Sequence, residues 1–208
     1  MFDLTAQAEK QGGSAEQRDC RRCSVGRRFQ RSENGATAIE FGFIGLPFFM
    51  LMWAIIETGL MFWTNQVLEE SVSQASRALL TGEARTRYTS DTASVNAEKF
   101  RDDVCAQAPM NLIDCSKLVV DVRTYTDFAG ASSGTSSSNP LVGRTLDTSG
   151  FSYRQPDTNQ IVVVRAALDY KLFLTSWASQ NLINIDPPSS GRRALIASTT
   201  FRAEPFVP

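Results

Sequence analysis

Two carboxylates sit inside a long apolar run of this 208-residue chain: Glu40 near its start and Glu57 near its end. An ionised acid at mid-bilayer costs about 2.5–3.5 kcal/mol on insertion scales, so each requires a solvated edge or a cation partner. For Glu57, at the far end of the run, snorkelling to the outer interface is the expected solution. Glu40 lies one turn inside the near end, where water and headgroups or the arginines upstream are candidate partners.

The remaining chemistry is sparse. The chain has no histidine, which removes His-based acid–base catalysis, His-assisted triads and most zinc sites. Cys20-Arg-Arg-Cys23 has metal-ligand spacing but no second ligand pair accompanies it, so no metal is expected there. Cys105 and Cys115 lie far downstream. If the upstream pair is cytoplasmic and the downstream pair exported, the first stays reduced. The second can then form a disulfide worth roughly 3 kcal/mol by loop entropy. The adjacent Asp102 and Asp103 read as solvated helix surface. Asp121 and Asp169 become a carboxylate pair only if their strands are neighbours. No phosphate loop or nucleophile elbow is present, so an enzyme is the minority reading and no cofactor is expected.

The elements that position the two acids follow from composition. Residues 36–56 are almost wholly apolar, and at 1.5 Å per residue they span about 30 Å, the thickness of a bilayer core. Trp53 and Trp63 are suited to the outer interface. Pro47 interrupts the hydrogen-bond ladder, which predicts a kink. Arg18, Arg21, Arg22, Arg27, Arg28 and Arg31 crowd the leader before the run. Abutting a span, such a cluster holds that end in the cytoplasm rather than binding nucleic acid. The organisation expected is a basic leader over residues 1–35, a single-pass transmembrane helix over 36–64 and an exported domain over 65–208.

Leu68, Val72, Ala75 and Leu79 are spaced 4, 3 and 4, which predicts that the helix continues with one apolar face. Two uses of that face stand open: packing on the chain's own domain, or contact with another subunit. Gly82 is the stop signal. A second helix is expected over residues 91–108, capped by Asp91, with Val95, Phe100 and Val104 inward and Pro109 ending it. Strands are expected over 117–128, 160–173 and 193–202. Their inward sets are Leu118, Val120 and Val122; Val162, Val164, Ala166, Leu168 and Tyr170; and Leu195, Ala197, Thr199 and Phe201. The Gly/Ser-rich residues 129–140 read as a flexible loop, and Pro187-Pro188 marks a turn. The fold class is α+β, with a long N-terminal helix continuing into a small antiparallel sheet domain.

The segment Gly35-Ala36-Thr37-Ala38-Ile39-Glu40-Phe41, after a basic leader and before an apolar helix, resembles the type IV prepilin processing site. With Ile55-Ile56-Glu57 closing the span, it resembles the TadE/TadG-like proteins of tight-adherence (Flp) pilus systems. The similarity also takes in Leu68-Glu69-Glu70-Ser71-Val72, Ala75-Ser76-Arg77, Phe100 to Cys105, Asp114 to Arg123 and Phe201 to Phe206. The resemblance implies cleavage by a prepilin peptidase between Gly35 and Ala36. It also implies a pilin-like architecture and a place in the inner membrane, with other pilins, pseudopilins and the assembly machinery as partners. A new amine at Ala36 then becomes a partner for Glu40, and Glu40 and Glu57 become candidates for pairing between helices. The function implied is that of a minor pilin or pseudopilin. The competing readings are an uncleaved, membrane-anchored assembly factor or binding module and, less favoured, an anchored enzyme.

Overall fold

The computed structural model describes residues 33–109, 112–137, 139–173, 183–185 and 191–205. The basic leader with Cys20 and Cys23, and the Pro187-Pro188 turn, lie outside the described residues. The chain divides into two compact units, Met1–Met52 and Trp53–Pro208.

Helix α1 runs from Glu33 to Leu80. It ends where Gly82 takes a φ of 81°, a left-handed backbone that glycine adopts without a side-chain penalty. A short turn, α2 (Ala84–Arg87), leads to α3 (Ala93–Gln107). The N-cap of α3 is Thr92, one residue beyond the expected Asp91, and its side chain makes no cap bond. Asn96 does the tethering instead: its side chain accepts from the Ser90 N–H at 3.1 Å and donates to the Ser90 carbonyl at 2.8 Å. Phe100 and Val104 point into the core as expected, whereas Val95 is 39% exposed. Its position on the helix falls outside the Phe100–Val104 stripe.

Strand β1 (Leu118–Tyr125) follows a 3₁₀ turn at Cys115–Lys117. Next come α4 (Phe128–Ser137), the small hairpin β2 (Leu141–Val142) and β3 (Thr145–Leu146), then β4 (Ile161–Lys171) and β5 (Arg192–Arg202). The main sheet is antiparallel with order β1-β4-β5. Its register pairs Val120 with Ala166 and Ala166 with Ala197. That register puts the expected inward residues of all three strands on one face, where Val120, Val164, Ala166, Leu168, Leu195 and Ala197 form one core with Leu68, Val72, Leu79, Phe100 and Val104. The apolar stripe of α1 is thus spent on the chain's own core. Between its two open uses, packing within the domain is the one realised. Each such side chain contributes about 1.5–3 kcal/mol on burial.

Two features depart from expectation. The central strand is buried on both faces: Ile161, Val163, Arg165 and Ala167 are inaccessible as well as their alternates. The near-continuous apolar run Ile161-Val162-Val163-Val164 carries that signal. The second departure concerns residues 129–137, expected as a flexible loop and observed as helix α4. Ala131 of α4 packs with Ile161 and Val163 on the second face of the sheet, with Tyr125 against them. A Cβ at Gly134 would stand 2.6 Å from the Tyr125 ring. The small residues therefore serve close approach of a helix to a sheet.

The free edge of β1 is covered by residues 152–154: Val122 N–H donates to Ser152 O and Arg154 N–H to Val122 O, each at 2.8 Å. At the end of the sheet, Glu204 N–H donates to Leu80 O at 3.0 Å, tying the tail beyond β5 to the end of α1.

In an ordinary helix Gly→Ala gains about 1 kcal/mol. Gly134→Ala should instead lose about 1 kcal/mol through overpacking on Tyr125, measurable by denaturant unfolding. A Tyr125→Ala background should restore the usual gain.

Candidate functional site along the long helix

The N-terminal part of α1 carries its side chains outward. Glu40 is exposed, and so are Phe41, Phe43, Ile44, Phe48, Leu51 and Trp53. Gly45 lies between the Phe41 and Phe49 rings, while nothing approaches the Cβ direction of Gly42. Small residues of this kind leave room for a second backbone. The helix runs through Pro47, and Gly35 lies in its first turn. Among the described residues, the helix Thr37–Leu80 is the one long and apolar enough to cross a membrane.

At Glu57 the character of α1 changes. Glu57, Met61, Thr64, Leu68, Ser71, Val72, Ala75 and Leu79 are buried in succession. The steps of 3 and 4 are those of one helix face. The stripe thus begins eleven residues earlier than the apolar pattern from Leu68 indicates, because its first member is an acid and its third a hydroxyl. Glu57 is 2% exposed, so it does not snorkel. Its Oε1 accepts the Phe173 backbone N–H at 2.5 Å, just past the end of β4. Tyr170 lies close by; burial pushes its phenol pKa up, the Glu57 carboxylate adds to the rise, and a hydrogen bond with Thr64 opposes it. The Thr64 hydroxyl also donates to Leu60 O at 2.8 Å. A lone carboxylate at the base of an apolar stripe is a signal readable in sequence only once the partner amide is known.

The other acids are held by arginines. Asp121, fully buried, accepts from Arg165 Nη2 at 2.5 Å, from Arg123 Nε at 3.1 Å and from the Ser152 N–H at 2.9 Å. Asp121 faces Arg165 across the β1–β4 pair, while Asp169 lies four residues further along β4 and bonds Arg192. The strands are neighbours, yet the two carboxylates do not form a pair. Asp103 accepts from Tyr88 Oη and Arg87, and Asp102 from Arg101. These arrangements satisfy charge within the fold. Among the described residues, no group of three or more His, Cys, Asp or Glu side chains gathers as a metal site.

Cys105, near the end of α3, is bonded to Cys115, which opens the turn into β1; their Cα atoms are 6.1 Å apart. The bridge fastens α3 to the sheet at the end of the core, with Cys105 packed against it.

The fold and this helix define an α+β protein with one candidate membrane span whose helix continues into the core of a sheet domain. The family model described as TadE-like protein matches residues 35–77, from Gly35 to Arg77 in the last turn of α1. Over those residues, and not beyond them, the chain is similar to the TadE-like family. The stretches at 100–105, 114–123 and 201–206 that added to the resemblance lie outside the matched residues. No curated protein and no solved structure matches the chain.

Glu57→Leu leaves the part-buried Phe173 N–H without its acceptor and should cost about 1–2 kcal/mol. Glu57→Gln keeps an acceptor and should cost about half as much. Faster hydrogen exchange at the Phe173 amide, measured on the detergent-solubilised full chain, reports the loss locally. Reduction of Cys105–Cys115 removes about 3 kcal/mol by the loop-entropy relation, seen as a lower unfolding midpoint with reductant and no such shift in a Cys105→Ser/Cys115→Ser chain.

Proposed function

We propose that this chain is a minor pilin or pseudopilin acting in assembly of a tight-adherence (Flp) pilus. TadE-like membership implies involvement in that assembly, and the observation that carries the reading is the match itself, which falls on the apolar helix and its motif. In this reading the basic leader stays in the cytoplasm, residues 36–56 store the subunit in the inner membrane, and the sheet domain is exported. The Cys105–Cys115 bond supports export, because disulfides persist in oxidising compartments.

Prepilin peptidase cuts between Gly35 and Ala36, and the new amine offers a partner to Glu40. A carboxylate paired with an amine in low dielectric favours one axial register between helices, since a mismatched position leaves the acid uncompensated. Gly42 and Gly45 permit the close approach this requires. Glu57, also considered for pairing between helices, already has a partner in the Phe173 amide. Glu40 therefore carries the pairing role in this proposal. The uncleaved assembly factor is the second reading, favoured by the continuity of α1 from Glu33 through the Gly35–Ala36 bond.

Mass spectrometry of the protein from its native membrane distinguishes the two: the pseudopilin begins at Ala36, and an intact leader overturns the cleavage. Glu40→Ala should reduce surface pili by about tenfold, the effect of losing about 1.4 kcal/mol. Wild-type pilus numbers in that variant would sink the register role.

A further inference from the structure

Within the second unit, the buried stripe of α1 begins at Glu57, preceded there only by the half-buried Ala54. Residues 37–56 make up about 30 Å of helix, one bilayer core. Glu57 thus stands where the hydrocarbon ends, if the span is as proposed above. Its bond to the Phe173 N–H brings the end of β4 to the same level. There the neighbouring side chains diverge: Leu172 is buried, while Phe173 is 75% exposed. Trp63 and Phe62 are also more than half exposed, one to two turns beyond Glu57. Two residues before Phe173, Lys171 is exposed, and its register partner Arg192 opens β5 at the same end of the sheet.

Aromatic rings beside cations, at the level where a span leaves the bilayer, have the chemistry of an anionic phospholipid surface. We propose that the sheet domain rests on the outer leaflet through this end, with the Phe173 ring inserted among the lipids and Lys171 at the headgroups. The domain is then held to the membrane at two places, through α1 and through the end of β4. A second copy of the chain is the competing occupant. The exposed Lys171 beside Phe173 favours lipid, because two copies would bring these like charges together, whereas Arg192 is already held by Asp169.

The inference rests on the membrane reading of α1, and the test separates the two. The full chain, with native tryptophans changed to Phe, carries a single probe in phosphatidylcholine–phosphatidylglycerol nanodiscs. The probe is retained Trp53, Phe173→Trp, or Val95→Trp near the start of α3, beyond the far end of α1. The Phe173 substitution leaves the backbone bond to Glu57 in place, and the exposed ring gives room for the indole. Lipids brominated near the headgroup should quench the Phe173→Trp probe at least about half as strongly as Trp53, and leave Val95→Trp unquenched. Quenching of Trp53 without the Phe173→Trp probe overturns the docking and keeps the span. Absence of quenching at both overturns the span and the docking together. A Phe173→Trp probe shielded from aqueous iodide, unquenched by lipid, and exposed once discs hold a single chain identifies a second copy as the occupant and also overturns the proposal.

Discussion

A single carboxylate–amide bond marks where α1 starts serving as a core helix along one face. Glu57 accepts the Phe173 N–H, and the buried Met61, Thr64, Leu68, Ser71, Val72, Ala75 and Leu79 follow it along one face. A bond of this kind has direction and reach, which apolar contact lacks. A Leu at position 57 would bury comfortably against many neighbours and would permit the sheet to slide by a turn. With an acid there, only the register that delivers a donor is acceptable, since an unmet carboxylate in this environment is costly. The remainder of the domain, with β4 at its centre, is built outward from that alignment.

The same economy recurs inside the sheet. Asp121 and Arg165 are both buried and face one another across β1 and β4, with Arg123 and the Ser152 amide completing the carboxylate's partners. Such a pair adds little net stability relative to apolar side chains. Sliding one of the two strands by one residue would turn its member of the pair to the opposite face and part the two. The Ser152 contact also draws the 152–154 segment onto the edge of β1, so an edge that would otherwise remain open is occupied.

Where the physics is periodic, the sequence was legible. Leu68, Val72, Ala75 and Leu79 declare a helix face. The alternation in residues 118–122, 162–168 and 195–201 declares three strands, and these residues share one core. Where function within the fold depended on a distant partner, local pattern was silent or misleading. Glu57 looked like an interfacial acid because its donor lies 116 residues away. Residues 129–137 looked like a linker because Gly and Ser also mark flexible chain, whereas here their small size lets α4 approach Tyr125. Val95 is apolar by type, yet it lies on a different face of α3 from Phe100 and Val104. The segment from Gly35 to Phe41, with Glu40 in it, is a short local pattern, readable without the fold.

The bond from Glu204 to Leu80 has a consequence for the order of events. It joins residues 124 positions apart, and the strand just before it, β5, completes the central pairing of the sheet. Contacts so distant in sequence form slowly and late. The core facing α1 therefore stays open until β5 and Glu204 have been synthesised. A chain still being made is held back from premature closure by its own topology. It remains pliant until β5 is in place, and becomes rigid only then.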